Sequence, residues 1–185
     1  MRNGSLWVAT AREMIRLHSE SYEVLERITT LGQTSALAWS SDYLLQVDSL
    51  SSLIYRWSVD QKGMIDYLVA PKRGRLTDLC AVGRKLLLLS DGAALLLGSG
   101  GDELAELHFD ATMRSVAAFD SGVFLLENDG LTLRHCSLDS ATGTIFTIES
   151  AALPAFVSHI GVGENRIVAW DERFCCFVEM QVVRR

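Results

Sequence analysis

The chain has 185 residues, of which 49% are hydrophobic, and it carries a net charge of −6. A chain of this length and hydrophobicity can bury a substantial core, which excludes a largely disordered protein. The acidic balance argues against nucleic-acid binding as the main role, because phosphate recognition requires clustered Lys and Arg side chains.

The cysteines and the N-terminal segment indicate a reducing compartment. None of the four cysteines forms a C-x-x-C pair, and adjacent cysteines such as Cys175 and Cys176 rarely bridge each other, so free thiols are expected. The segment MRNGSLWVATAREMIRL lacks the apolar stretch of a secretory signal. We expect a cytoplasmic protein, with the nucleus as the alternative.

The first predicted elements are short strands. Residues 6–17 resemble the second half of a repeat unit that turns near Ala11 and Arg12. Residues 12–27 also have a weak helical spacing of apolar positions, but Ser19-Glu20-Ser21 is typical of a turn. We therefore predict strand, turn and strand across this region.

Residues 79–97 form the longest apolar run of the chain, and we predict that it does not cross a membrane. A spanning helix needs about 20 mostly apolar residues, so the length alone would suffice. The run contains Arg84, Lys85 and Asp91, and each charge costs about 2.5–3.5 kcal/mol at the centre of a bilayer.

The segment LLLLSDGAALLLG, at residues 86–98, is predicted to be a β-hairpin instead. An Asp-Gly pair between two apolar runs favours a type I′ turn, because that turn needs positive φ at both central positions. We predict paired strands at residues 85–89 and 94–97, with Asp91-Gly92 as the turn.

This hairpin belongs to a repeat. Residues 77–99 and 115–137 align without a gap, and their Asp-Gly pairs begin 38 positions apart (129 − 91). Looser copies occupy residues 35–60 and 156–180. A period of about 40 residues is typical of the four-stranded blades of a β-propeller.

Each copy has the same order of elements. A short first strand is predicted at residues 76–81, 115–119 and 157–162, and a variable outer strand at 64–70, 104–109 and 144–150. The strands between them are nearly continuous apolar runs, as expected for a sheet covered on both faces. We predict an all-β protein, a single domain of about four to five blades of four antiparallel strands, with units at residues 1–33, 34–74, 75–112, 113–154 and 155–185.

The sequences AWSSD at residues 38–42 and IYRWSVD at residues 54–60 resemble the WD-repeat propellers. Trp57 stands at the tryptophan of that family, and Asp60 is displaced from its usual acidic position. The Gly-His pair of the family is missing, so the hydrogen-bond network that it anchors is not expected in the same form. The runner-up is the regulator-of-chromosome-condensation type of propeller, which residues 80–98 resemble, although its repeats are longer and richer in glycine and histidine.

The number of blades leaves two arrangements open. The chain could close as a small ring, with residues 6–17 completing the blade that begins at Phe156. It could instead form an open arc, whose terminal strand edges would pair with a partner chain or another copy. We favour the arc.

No motif of catalysis or metal binding is found, and we expect no catalytic residue, metal site or cofactor. The histidines, at positions 18, 108, 135 and 159, share no ligand spacing. Cys175 and Cys176 are predicted to lie in a strand with one thiol in the core and one half exposed.

The function expected from this pattern is that of a non-catalytic protein-interaction scaffold, a WD-like subunit of a larger assembly. The alternative is a propeller enzyme, hydrolase-like, with acidic residues at the central channel. The scaffold would use terminal blade edges in a hetero-complex or homo-oligomer, without nucleic acid as its main ligand and without a transmembrane segment. Aromatic and arginine side chains dominate protein interfaces, and the candidate contact residues are Trp7, Tyr55, Arg73, Arg75, Trp170, Phe174 and Phe177.

Overall fold

The computed structural model describes residues 4–40, 43–91, 93–120, 122–139, 141–163 and 166–182. All the regular structure in these residues is β-strand, and none of them belongs to a helix that could cross a membrane. The strands, in chain order, are β1 (Ser5–Ala9), β2 (Glu13–His18), β3 (Val24–Thr29), β4 (Thr34–Ser40), β5 (Tyr43–Asp48), β6 (Leu53–Ser58), β7 (Gly63–Val69), β8 (Leu76–Val82), β9 (Lys85–Ser90), β10 (Ala94–Leu97), β11 (Glu103–Leu107), β12 (Met113–Phe119), β13 (Gly122–Glu127), β14 (Thr132–Asp139), β15 (Thr144–Ala152), β16 (His159–Gly163), β17 (Arg166–Asp171) and β18 (Cys176–Gln181).

Within the described residues these strands form five antiparallel sheets, each an up-and-down meander. Blade 1 contains β1–β3, blade 2 β4–β7, blade 3 β8–β11, blade 4 β12–β15 and blade 5 β16–β18. The prediction of an all-β propeller is confirmed. The expectation of four strands in every blade holds for blades 2, 3 and 4, whereas blades 1 and 5 have three.

The two hairpins predicted from local sequence are confirmed. Strands β9 and β10 pair with Leu88 opposite Leu95, and the amide of Ser90 donates to the carbonyl of Ala93 at 2.9 Å. Gly92, the second residue of the predicted turn, lies outside the described residues. Strands β2 and β3 flank Ser19-Glu20-Ser21, so strand, turn and strand is also correct for residues 12–27.

The middle strands are nearly all apolar because each sheet packs against a neighbour on both faces. In β9, Leu86 and Leu88 belong to the core shared with blade 2, whereas Leu87 and Leu89 belong to the core shared with blade 4. Successive side chains of a strand point to opposite faces, so one continuous apolar run supplies two cores.

The first and last blades also pack together, so the favoured open arc is wrong. Leu6 and Leu17 of blade 1 share a core with Val168 of blade 5. The ring of Tyr22 stacks on that of Phe177, with centroids 4.9 Å apart and planes 17° from parallel. Apolar faces on both terminal sheets cover each other, and this contact closes the ring.

Polar contacts support the same closure. The Tyr22 hydroxyl donates to Glu179, and Nη2 of Arg166 donates to the carbonyl of Ser19 at 3.3 Å. Residues 6–17 do not complete the blade that begins at Phe156, because β1–β3 and β16–β18 are separate sheets. That alternative is corrected as well.

The cysteine prediction is also wrong in part. Cys175 lies in the turn before β18 with a φ of 50°, and only Cys176 belongs to the strand. Both residues are exposed, so neither thiol lies in the core.

Replacing Leu88 by Ala tests the two-faced packing. Leu88 is fully buried in the core between blades 2 and 3, so we expect the free energy of unfolding to fall by about 2–5 kcal/mol. Leu104→Ala, in the exposed outer strand of the same blade, is the control and should change it by no more than about 0.5 kcal/mol. Urea unfolding measures both; equal losses would contradict the packing.

Ring closure predicts a pH dependence above pH 10. Burial, together with the hydrogen bond to Glu179, raises the pKa of Tyr22 from 10.0 to about 12. The raised folded pKa means that Tyr22 stabilises the ring fully below pH 10, and that this stabilisation is lost as the pH rises through 12. The stability advantage of the wild type over Tyr22→Phe should therefore shrink between pH 10 and 12, as measured by urea unfolding at each pH. A constant difference would show that Tyr22 is not in this contact.

Candidate functional site

The inner strands of the blades surround an axial cavity of about 320 Å³. Its wall is built from the middle of β4, β8, β12 and β16, represented by Leu37, Leu79, Val116 and Ile160. No Asp, Glu or His is found among the described residues that line it. The described lining of the cavity therefore consists mainly of apolar side chains on the inner strands.

Blade 1 leaves one side of this cavity without an inner strand. In blades 2 to 4 the first strand of each sheet is the inner strand, which faces the cavity, and the second strand lies behind it. The second strand also contacts the inner strand of the following blade, as β5 contacts β8 and β9 contacts β12. β1 makes the same kind of contact with β4. By its contacts β1 is thus a second strand, and no strand of the described chain occupies the inner position before it. We call this place the inner slot.

The cavity lining shows the slot directly. Most lining residues belong to inner strands, but Leu6 and Trp7 of β1 and Leu44 of β5 also contribute. All three come from second strands beside the slot. Leu44 lies on the face of blade 2 that packs against blade 1, whereas Leu6 and Trp7 lie on a strand that no described inner strand covers.

The backbone of β1 is directed toward the slot at every second residue. The amide of Ser19 donates to the carbonyl of Gly4 at 3.0 Å, and the amide of Thr10 donates to that of Glu13 at 2.8 Å. Hydrogen-bonded pairs alternate along an antiparallel ladder, so Leu6 and Val8 bond to β2. The N–H and C=O groups that face the slot are those of Ser5, Trp7 and Ala9.

Side chains on adjacent inner strands join the blades at one end of the cavity. The carboxylate of Asp78 in β8 accepts hydrogen bonds from the hydroxyl of Ser115 and, at 2.8 Å, from the amide of Val116. The hydroxyl of Ser115 in turn accepts from the amide of Ile160 at 3.1 Å. Each of these side chains thus satisfies a backbone amide of the next blade.

Burial and hydrogen bonding act in opposite directions on Asp78. Removal of the carboxyl from water raises its pKa above the ordinary value, while the bonds from Ser115, Val116 and Leu79 partly offset that rise. A buried carboxyl that joins three donors is a structural group, because any loss of the side chain leaves those donors unpaired.

Blade 2 uses a different polar chain. The indole Nε1 of Trp57 donates to Oε1 of Gln46 at 2.9 Å, and Nε2 of Gln46 donates to Oγ1 of Thr34 at 3.0 Å. The three residues lie on the third, second and inner strands of the blade. This chain of hydrogen bonds connects the strands without the missing Gly-His pair.

The predicted contact residues are distributed over several surfaces. Trp7 lines the cavity, and Tyr55 packs edge-on against Tyr67 with centroids 6.5 Å apart. Arg73 pairs with Glu103 at 3.2 Å, and Arg75 is exposed in the same loop.

The remaining three lie in blade 5. Trp170 and Phe177 contact each other edge-on with centroids 5.1 Å apart, and Phe177 also packs against Tyr22 of blade 1. Phe174 is 74% exposed in the turn before β18. The structure therefore brings Trp170 and Phe177 together at the ring closure.

The sequence analysis did not reveal that Asp78, Ser115 and His159 occupy equivalent positions on the inner strands of three blades, a set that we call the polar layer. The gapless repeat alignment is set by the two Asp-Gly pairs, 38 positions apart, and it places Asp78 opposite Val116. In the structure Asp78 and Ser115, 37 positions apart, are equivalent, because each pairs with the corresponding leucine of its second strand. A one-residue gap in the turn of the alignment would have revealed the match.

Comparison with known proteins identifies the fold but no family. No family model and no curated protein sequence matches this chain. The structure is similar to glutaminyl cyclase from Myxococcus xanthus, with a TM-score of 0.71 and 16% identity over 93% of this chain and 83% of that one.

Two further structures are similar at lower scores. The computationally designed protein Ika4 has a TM-score of 0.54 and 15% identity, covering 83% of this chain and 94% of the design. Hydrazine synthase from Kuenenia stuttgartiensis has a TM-score of 0.58 and 12% identity, and the match spans 90% of this chain and 52% of that one. At these identities the similarity shows a shared fold alone, a β-propeller of antiparallel blades.

Removal of the Asp78 side chain tests the junction between blades 3 and 4. Asp78→Ala leaves buried donors unpaired, each worth about 1–3 kcal/mol, so we expect a large loss of stability in urea unfolding. Asp60→Ala, at an exposed turn, is the matched control and should change stability by no more than about 0.5 kcal/mol. A loss at position 78 no larger than at position 60 would contradict the role of this carboxylate.

Proposed function

We propose that this protein is a non-catalytic interaction scaffold, a WD-like propeller subunit that binds a partner chain through the uncovered strand edges of its terminal blades. The observation that carries this proposal is the inner edge of β1, where the N–H groups of Ser5, Trp7 and Ala9 face a position that no strand of the described residues occupies. Unpaired strand edges are templates for pairing with another chain.

Blade 5 offers a second uncovered edge on its outer side. The pair of Phe177 and Trp170 in blade 5 is equivalent to the pair of Ala94 and Leu89 in blade 3. In blade 3 the backbone of the third strand forms hydrogen bonds with a fourth, outer strand. In blade 5 the described chain has no fourth strand. By the same alternation of the ladder, the backbone groups directed outward from β18 are those of Phe177, Glu179 and Gln181.

Two features support the scaffold over the alternative of a hydrolase-like enzyme. A pair of carboxylates is the common requirement for glycoside hydrolysis, and the described lining of the cavity supplies none. The buried Asp78 is engaged by Ser115, Val116 and Leu79, which act as structural partners. The chain from Trp57 through Gln46 to Thr34 supports the WD-like part of the proposal, since it connects the strands from a tryptophan at the family's position.

The proposal is tested by blocking both edges. Proline is tolerated on an edge strand where its missing N–H would have faced outward, so Ala9→Pro/Gln181→Pro removes two edge donors and leaves the internal ladders intact. The matched control is Ala9→Thr/Gln181→Thr, which keeps both N–H groups. We expect immobilised wild type and control to retain the same proteins from a native extract, and the proline variant to retain them at least tenfold less, by quantitative mass spectrometry.

Two outcomes would contradict the proposal. Equal retention by all three forms would place the binding surface elsewhere than on the terminal edges. Absence of any retained protein, together with turnover in a screen of hydrolase substrates, would replace the scaffold by the enzyme. Urea unfolding of the proline variant confirms that it is folded before the comparison is made.

A further inference from the structure

We infer that the inner slot of blade 1 receives one extended segment of a partner chain, which adds as an inner strand antiparallel to β1 and places a Ser or Asp residue opposite Ala9. The inference rests on the proposed function, because it assumes that a partner binds at a terminal edge. It specifies which edge is used, the register of the segment and its side-chain chemistry.

The register follows from the complete blades. Asp78 lies opposite Leu89 and Cys80 opposite Leu87 in blade 3, at the third and fifth residues of the inner strand. At the turn after β9, the amide of Ser90 donates to the carbonyl of Ala93. At the turn after β1, the amide of Thr10 donates to the carbonyl of Glu13 in the same way. Thr10 therefore corresponds to Ser90, so Ala9 corresponds to Leu89 and Trp7 to Leu87. An added strand therefore places its third residue opposite Ala9 and its fifth opposite Trp7.

The next blade defines what the third residue must be. At this position Asp78 accepts a hydrogen bond from the amide of Val116 in blade 4, and Ser115 accepts one from the amide of Ile160 in blade 5. For the inner slot the next blade is blade 2, where Leu37 holds the position of Val116 and Ile160. A Ser or Asp at the third residue of the segment would accept from the Leu37 amide.

The fifth residue must be small. In blades 3 and 4 the fifth residues of the inner strands are Cys80 and Ala117, which face leucine and phenylalanine on the second strand. In the slot the facing residue is the larger Trp7, and Trp39 of blade 2 also lines the cavity. A side chain such as Ala opposite the Trp7 indole keeps the small-against-large pairing of blades 3 and 4.

On the blade 5 side of the slot, His159 occupies the position on the inner strand that Asp78 and Ser115 occupy in blades 3 and 4. His159 lies opposite Trp170 as Asp78 lies opposite Leu89, so its position on the inner strand matches those of Asp78 and Ser115. Asp78 and Ser115 are buried beneath the following inner strand, whereas His159 is exposed. His159 thus occupies the position whose side chain, in blades 3 and 4, meets the backbone of the next inner strand, and its Nδ1 lies 3.0 Å from the hydroxyl of Ser158.

These requirements distinguish a partner segment from a second copy of this chain. Pairing of two β1 edges would bring Trp7, rather than a small residue, to the place opposite Trp7 or beside it. The outer edge of β18 carries Phe177 and Glu179, which also lack the small residue and the hydroxyl acceptor in this order. A partner strand with a hydrogen-bond acceptor at its third residue and a small side chain at its fifth meets both requirements.

A peptide copied from an inner strand of this chain is the probe. It carries the β12 sequence MRSVAAF, residues 113–119, between two terminal lysines and with a fluorescein label. We expect saturable binding to the full chain by fluorescence anisotropy. Ser115→Ala in the peptide should weaken binding about threefold to tenfold, the value of one hydrogen bond, and Ala117→Pro should abolish it by removing a ladder donor.

Variants of the protein test the edge itself. Ala9→Pro should lose peptide binding, whereas Ala9→Thr, which keeps the N–H, should bind as the wild type does. Hydrogen exchange gives a site-specific measure: the peptide should slow exchange at Ser5, Trp7 and Ala9 at least tenfold and leave Leu6 and Val8, already bonded to β2, unchanged.

Failure of this inference is distinguishable from failure of the proposed function. Protection at β18 instead of β1 would overturn the inner slot as the site. So would binding of the Ser115→Ala and Ala117→Pro peptides as tightly as the unmodified peptide. Protection of Ser5, Trp7 and Ala9 that grows with protein concentration in the absence of peptide would show a second copy there and would also overturn it. Loss of extract proteins on edge blocking would still support the scaffold in either case.

Discussion

The structure depends on sheets that bury both faces. Leu87 and Leu88 are neighbours in one strand, yet each belongs to a different core, between different pairs of blades. At about 25 cal/mol per Å² of buried apolar surface, such runs are the main favourable term for the fold. The same constraint closes the ring, because the terminal sheets would otherwise expose Leu6, Leu17 and Val168 to water.

Polar groups complete the arrangement where sheets converge on the axis. Packing alone sets neither the rotation nor the height of one blade relative to the next. Asp78 and Ser115 fix the position of neighbouring blades, since each accepts a hydrogen bond from a backbone amide of the following blade. The cost of burying Asp78 is recovered through three donors, and the resulting contact is directional, unlike the leucine cores around it.

The terminal blades differ from the complete ones in the strand edges that they expose. Complete blades leave only an inner edge toward the cavity and an outer edge toward solvent. Blade 1 instead exposes the edge of a second strand to the cavity, and its β1 is less buried than β5, β9 or β13. A ring that is already closed by side-chain packing can leave such an edge unpaired, and for this reason we propose the slot as a binding surface.

The strands, the hairpins and the repeat could be predicted from local signals: apolar runs, an Asp-Gly turn and a period of about 40 residues. Three features could not be predicted in this way: the closure of the ring, the inner position beside Trp7 that no described strand occupies, and the pairing of Asp78 with Ser115. These features join segments far apart in the chain, and their register depends on where whole sheets meet, which no local pattern encodes.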